Sequence, residues 1–250
     1  MELPLDRILC CDCMEGLRNL PCDCIDCVVT SPPYNKGKQG EKVGNQIWGG
    51  FKIEYDIYAD KMDDAEYAAW MVAVLTELHR VVRSDGSVFV NHKVILEGCK
   101  GRFPKWILDT PFDLYQMIVW DRCCSCNIRK ETFFPTYELV FWLTKGKPRT
   151  FKEQTAYRND IWRIRPEMKS DHPAPFPFDL AENCIRMSCR NGDGCVVLDP
   201  FMGSGTTAVA AKANGHRFIG FELSPQYVQM ANDRLSRTTR KGFAVQGDLF

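Results

Sequence analysis

The residues best equipped for chemistry lie in two short stretches far apart in the chain. The first is "VVTSPPYN" (28–35), where an apolar, β-branched run stops at Ser31 and meets two prolines and a tyrosine. Proline fixes φ and lacks an N–H, so Pro32 and Pro33 end a strand and leave a stiff, extended loop whose carbonyls have no ladder partners. Such a loop, offering bare acceptors beside the ring of Tyr34, is a binding device.

The second stretch is "VVLDPFMGSGTTAVAA" (196–211), in which Gly203 and Gly205 stand between a strand and a helix and match G-x-G-x-x-A through Ala208. Glycine lets the chain turn tightly and lets a ligand approach the backbone, while the following helix presents free N–H groups. A side chain at Gly203 or Gly205 is therefore expected to block a ligand without unfolding the chain. The next strand ends in "GFEL", which places Glu222 to accept hydrogen bonds from the two ribose hydroxyls of an adenosine. The plainer alternative is that Glu222 caps the helix opening at Ser224. No lysine follows the glycines, which argues against a nucleoside triphosphate. An NAD-binding fold would continue with further strand–helix units, yet only 28 residues follow Glu222.

The elements that must hold these loops alternate along the chain. "RILCC" and "DCVVT" read as strands around a short helix; 63–83 has helical apolar spacing and is followed by a turn at "SDG" and the strand "SVFVNH". A further helix is expected within 94–108, then strands at 114–120 and 137–144. The last third repeats helix, strand, glycine loop, helix, strand, helix from "FDLAENCIRMSC" to "SPQYVQMANDRLSR". That succession predicts one α/β domain over 1–250, a mostly parallel sheet with helices on both faces. The amino-terminal strands must complete the sheet, bringing both loops to its carboxyl edge, where such folds bind ligands.

Two stretches break the rhythm. Residues 35–62 are rich in glycine and charge and read as a mobile insertion. In 145–169 eight basic residues face three acidic ones and alternate with Phe151, Tyr157 and Trp162, a composition that suits a nucleic-acid surface as well as it suits a solvated segment. Overall charge is balanced, with 32 basic and 32 acidic side chains, so a polyanion would have to meet a local patch. The hydropathy has no run that would cross a bilayer and no signal-peptide pattern at the start, from which a cytoplasmic chain is expected.

Thirteen cysteines include Cys10, Cys13, Cys24 and Cys27 at near zinc-ribbon spacing. Cys27 falls within a strand and Cys13 opens a helix, a placement that does not converge on one ion. No metal is expected, and the thiols read as reduced and inert.

"TSPPY" followed by "DPFMGSGTT" resembles the amino-group DNA methyltransferases of the permuted β class, in which the catalytic motif precedes the S-adenosylmethionine motif. "CDCMEGLRNLP", "YELVFWLTKG", "NDIW", "HPAPFP" and "GFELSPQYVQMANDRL" extend the resemblance over nearly the whole chain. It implies a Rossmann-like, S-adenosylmethionine-dependent fold with circularly permuted motif order. Ser31, Pro32, Pro33 and Tyr34 then form the catalytic loop; Asp199, Phe201, Gly203 and Gly205 surround the methionine part of the cofactor, Glu222 binds its ribose and Asp12 approaches its adenine. Cys11 stands where the family usually has glycine. Double-stranded DNA is the implied substrate, and a homodimer is implied as well; given that substrate, the basic segment 145–169 and the insertion 35–62 are expected to contact it, the former meeting phosphates through residues such as Arg158, Arg163 and Arg165. Neither the target sequence nor a restriction partner can be read from these residues.

An exocyclic amino nitrogen is a poor nucleophile because its lone pair is delocalised into the ring, so acceptors must hold its hydrogens in the geometry that frees that pair. The Ser31 hydroxyl and the Pro32 carbonyl can do so on a stiff backbone, while Tyr34 stacks on a base flipped from the duplex. In the family, serine at the first position is typical of cytosine-N4 enzymes and aspartate of adenine-N6 enzymes, so cytosine N4 is expected and adenine N6 is the alternative. Carbon-5 methylation would need a cysteine nucleophile, and Cys22 after Pro21 stands before the strand, not at its end. More distant alternatives are a noncatalytic DNA-binding protein with a nucleotide pocket and an NAD-dependent oxidoreductase.

Overall fold

The computed structural model describes residues 2–35, 62–97, 100–124, 133–166 and 177–239. Apart from its end residues Asn35 and Met62, the insertion expected at 35–62 lies outside them, as do 167–169 of the basic segment, Cys126, and all of "HPAPFP" except Pro177.

In the first half β1 (Arg7–Cys10), α1 (Cys13–Arg18), β2 (Ile25–Thr30), α2 (Asp64–Val81) and β3 (Val82–His92) follow one another as expected. Helix α2 forms because Asp63 caps its amino end by accepting from Ala65 N, and because Tyr67, Met71, Val74, Leu75, Leu78 and Val81 recur on one buried face. Its acidic first turn and basic last turn complement the helix dipole. The turn expected at "SDG" is instead a bulge within β3: the register on β2 jumps from Ile25↔Val82 to Cys27↔Ser87.

The helix expected within 94–108 is absent from the described residues there. A hairpin of β4 (Ile95–Glu97) and β5 (Lys100–Arg102) takes its place, followed by a 3-10 turn at Lys105–Asp109. Gly101 and Pro104 interrupt the segment, and only Trp106 and Ile107 of the turn are buried, too short a run to support a full helix.

The strands expected at 114–120 and 137–144 are β6 (Asp113–Asp121) and β7 (Tyr137–Thr144), after which β8 (Ile161–Arg163) adds a short edge. Helix α3 (Phe178–Ser188), β9 (Val196–Asp199), α4 (Thr206–Ala213), β10 (Arg217–Glu222) and α5 (Pro225–Ser236) complete the chain order. All strands but β4 and β5 join one eight-stranded sheet in the order β1-β10-β9-β2-β3-β7-β6-β8. It is parallel from β1 to β3; β7 runs antiparallel to both neighbours, and β8 lies parallel to β6.

The sheet is covered on both faces by separate apolar layers. One packs α3, α4 and α5 against residues such as Phe89, Trp142 and Val197; the other packs α1 and α2 against Val28, Phe141 and Phe221. Cys27 belongs to the first layer and Cys13 to the second, so the sheet itself separates two of the zinc-ribbon cysteines. Among the described residues no helix is long and apolar enough to cross a membrane.

Close packing on the second face makes a specific demand at Gly16 of α1, where an added Cβ would lie 2.5 Å from the buried ring of Phe221. Gly16→Ala gains helix propensity but forces that ring to move, so a net destabilisation of about 1–2 kcal/mol is expected in urea melts.

Candidate active site

The carboxyl ends of β2 and β9 are neighbours in the sheet, which brings the proline loop and the glycine loop together across 168 residues of sequence (199 − 31). A buried carboxylate fastens them. Asp199 Oδ1 accepts from Thr30 Oγ1 at 2.7 Å and from Phe201 N at 3.0 Å; its Oδ2 accepts from Thr207 Oγ1 at 2.7 Å. Thr207 Oγ1 also lies 3.1 Å from the Val29 carbonyl. Burial raises the Asp199 carboxyl to about 6, against the three hydrogen bonds that lower it. Both protonation states can be satisfied: a protonated Oδ2 donates to Thr207, whose hydroxyl then turns to Val29.

Gly203 and Gly205 both have positive φ, +52° and +86°, where a side chain is strained. Gly205 is also the residue before α4, and a Cβ there would lie 2.7 Å from the Cβ of Ala231 in α5. The expectation that a side chain at Gly205 would leave the fold intact is thereby corrected: that glycine is demanded by helix packing.

Glu222 serves the loops on either side of it. Its Oε2 accepts from Gly203 N at 2.8 Å and its Oε1 from Ser224 N at 2.9 Å, while Ser224 caps α5 with its own hydroxyl. One backbone N–H on each oxygen leaves a second acceptor position on each, the pattern that a pair of adjacent hydroxyls can use. Burial raises the Glu222 carboxyl, so donors arriving there would favour its charged form. Asp12 sits beside it, since Cys11 N donates to the Glu222 carbonyl at 3.1 Å. Asp12 caps α1 through Oδ1, accepting from Met14 N and Glu15 N. Phe201 is half-buried with its ring edge-on to Trp70, 5.5 Å between centroids. Acceptors, an aromatic wall and tight glycine turns fit the nucleoside and amino-acid parts of S-adenosylmethionine.

The proline loop is held by residues that sequence reasoning missed. Tyr67 Oη donates to the Pro33 carbonyl at 2.7 Å and lies 3.2 Å from His92 Nε2, whereas the Pro32 carbonyl accepts no hydrogen bond among the described residues. Tyr34 Oη donates to Glu138 Oε2 at 2.9 Å and lies 3.0 Å from Ser31 Oγ. Asn91 Nδ2 reaches Tyr34 Oη at 2.6 Å and Glu138 Oε2 at 3.0 Å. Arg122 Nη1 stands 3.3 Å from the other Glu138 oxygen. Burial and the Glu138 charge hold the Tyr34 phenol well above its ordinary range. The available signals were polar residues inside apolar strands: Glu138 in "YELVFWLT" and Asn91-His92 closing "SVFVNH". At the insertion's two ends, Met62 N donates to Asn35 Oδ1 at 2.7 Å and Asn35 Nδ2 to the Met62 carbonyl at 3.0 Å, so its termini are pinned together.

Arg158, Arg163 and Arg165 are all exposed, but the aromatic residues interleaved with them face inward: Trp162, between Arg158 and Arg163, is buried, and Tyr157, just before Arg158, packs against it. The alternation is that of an edge strand with a core face and a charged outer face. β8 runs in the same direction as β2 and β3, which puts Arg163 and Arg165 at the carboxyl edge with the proline loop; Arg158 precedes the strand, toward the opposite edge.

A strand-edge site with a carboxylate that keeps spare acceptor positions, a glycine turn and a stiff proline loop, on a sheet with one antiparallel strand near its end, defines a methyltransferase architecture. The DNA methylase family model for N6 and N4 enzymes matches residues 25–233, and the chain belongs to that family. It is similar to the type II methyltransferases M.ScaI of Streptomyces caespitosus (27% identical, 93% of this chain and 82% of that one) and M.HinfI of Haemophilus influenzae (28%; 92% and 68%). Among solved structures, the PvuII cytosine-N4-specific DNA methyltransferase shares the fold with a TM-score of 0.73 at 21% identity, covering 91% of this chain and 85% of that one. A Thermus thermophilus protein described as a DNA modification methylase, solved with S-adenosyl-L-methionine, gives 0.67 at 25% identity, with 93% and 94% covered. The chain is a site-specific DNA amino-methyltransferase.

Two outcomes follow from the glycine loop and its carboxylate. Asp199 has its pKa raised in the native state, so its contribution to stability is full below about pH 4 and is lost as pH rises through about 6, a change of about 3 kcal/mol. Asp199→Asn can keep the Thr30, Phe201 and Thr207 contacts, and relative to the parent its urea midpoint is expected to improve progressively across that interval. Gly205→Val is expected to lower the melting temperature of the cofactor-free chain, which a thermal scan reads directly.

Proposed function

We propose that this enzyme methylates N4 of cytosine, using S-adenosylmethionine, on a base flipped out of duplex DNA. The observation that carries the reading is the acceptor pair at the end of β2: the Ser31 hydroxyl beside a Pro32 carbonyl that accepts no hydrogen bond among the described residues. Each takes one amino hydrogen, and the prolines keep both aimed without reorganisation. Serine rather than aspartate at the first position favours cytosine over adenine, in line with the cytosine-N4 specificity of the PvuII enzyme.

S-adenosylmethionine supplies, when bound, an electrophilic methyl group on a sulfonium. Glu222 accepts the ribose hydroxyls, Asp12 approaches the adenine, and Asp199, Phe201 and Gly203 wall the methionine end, with Gly205 shaping the turn. Tyr34 offers its ring to the base, a stack typically worth about 1–3 kcal/mol that offsets part of the unstacking. Arg158, Arg163 and Arg165 contact phosphates, the last two beside the catalytic edge.

Incubation with DNA and S-adenosylmethionine, followed by nucleoside mass spectrometry, is expected to give N4-methylcytosine; N6-methyladenine overturns the choice of base, and 5-methylcytosine overturns the acceptor mechanism. Replacing Arg163 and Arg165 by glutamine is expected to weaken DNA binding and to reduce the slope of log affinity against log salt by about 0.9 for each phosphate no longer neutralised. An unchanged slope excludes that surface.

A further inference from the structure

We propose that Glu138 is the final acceptor of the proton that leaves the target amino group, receiving it through Ser31 and Tyr34. This rests on Ser31 holding the amino group, as argued above, and applies to either base. Methylation of an amino nitrogen releases one proton per turnover: the nitrogen gains a bond to carbon, the carbon–sulfur pair stays on sulfur, and the positive charge departs as H⁺. Neither a serine hydroxyl nor a peptide carbonyl such as that of Pro32 is basic enough to keep that proton.

The hydrogen-bond directions supply a route. Tyr34 has one hydroxyl hydrogen and donates it to Glu138 Oε2 at 2.9 Å. The 3.0 Å contact between Ser31 and Tyr34 is therefore a donation from Ser31, which leaves a lone pair of the Ser31 oxygen to accept from the substrate beside the long 3.5 Å contact from Asn91 Nδ2. Asn91 Nδ2 adds donors from the side, 2.6 Å from Tyr34 Oη, 3.0 Å from Glu138 Oε2 and 3.5 Å from Ser31 Oγ, and so supports the acceptor side of each member of the chain. As the amino proton reaches Ser31 Oγ, the Ser31 proton passes to Tyr34 Oη and the Tyr34 proton to Glu138. Both hydroxyls end neutral and only the carboxylate changes charge. Arg122 pairs with this carboxylate, 3.3 Å from Glu138 Oε1, and its second contact, Nη2 to the Pro135 carbonyl at 2.6 Å, holds the guanidinium in place. Glu138 thus acts at a distance, as the proton sink of a chain in which only the first member exchanges a proton with the base.

Three variants of the full chain test the route. Glu138→Gln replaces the acceptor with a donor and reverses the chain; Tyr34→Phe keeps the ring for stacking and removes the middle hydroxyl. Each is expected to lower kcat by about a hundredfold or more and to leave calorimetric affinities for DNA and S-adenosylmethionine within about threefold. The double variant is expected to be no slower than the slower single one. Without cofactor or DNA, NMR of carbon-labelled tyrosine is expected to show the Tyr34 phenol titrating lower in Glu138→Gln than in the parent. A kcat within about threefold of the parent in either variant, additive losses in the double variant, or an unmoved Tyr34 titration each overturns the relay. Should Glu138→Gln fail to fold, Tyr34→Phe carries the decision. If the parent methylates neither cytosine N4 nor adenine N6, the role given to Ser31 falls instead; an active parent with indifferent variants removes the relay alone.

Discussion

The contact on which the site depends is the buried carboxylate of Asp199 between two threonine hydroxyls. Its partners come from three elements: Thr30 ends β2, Phe201 opens the glycine loop and Thr207 lies in the first turn of α4. Main-chain pairing between β2 and β9 aligns only Cys27 with Val197 and Val28 with Leu198, so beyond Leu198 it is the side-chain network that keeps the proline and glycine loops in register. Burying a charge there is unfavourable, which is why the carboxyl is raised, and three donors bring that penalty down without removing it. The strain is placed where two loops must be held at fixed separation for a group to pass between them.

Glu222 repeats the device on the cofactor side. One oxygen holds the glycine loop and the other the entry to α5, so a residue suited to bind a ribose also sets the spacing of the walls around it. Helix capping and ribose binding therefore do not compete at Glu222: capping uses one lone pair per oxygen and leaves the others.

Much of this was legible in the sequence. The alternation of periodic segments implied the parallel sheet and its helices, and the order of "TSPPY" and "DPFMGSGTT" placed both loops at one edge. What was hidden depended on three-dimensional neighbours. The apolar residues at 94–108 looked helical, but glycine and proline leave them a hairpin and a short turn. The aromatics in 145–166 looked like partners of a nucleic acid, yet period-two geometry turns Trp162 into the core and leaves Arg163 outside. Gly205 looked like a ligand-approach glycine, and only the position of Ala231 shows that α5 also requires it. Asn91 and Glu138 carried a weak mark, a polar side chain within an apolar strand, that gains meaning only once the strands are paired.

That pairing explains why the acceptor loop can be served by a carboxylate it does not contain. Parallel strands present their carboxyl ends together, so β2 and β3 deliver Ser31 and Asn91 to the same edge. A residue near the start of another parallel strand would lie at the far edge, some five residues or roughly 15 Å away. Strand β7 is antiparallel, pairing His92 with Leu139, and its amino end therefore arrives beside the carboxyl end of β3 with Glu138 one residue beyond the last pair. The reversed strand lets a carboxylate stand behind a serine, at the distance of one tyrosine hydroxyl, without crowding the place where a base must enter. An aspartate at position 31 would put the charge in direct contact with the amino group; with serine there, acceptor and charge are separated, and the antiparallel strand is the element that makes the separation possible.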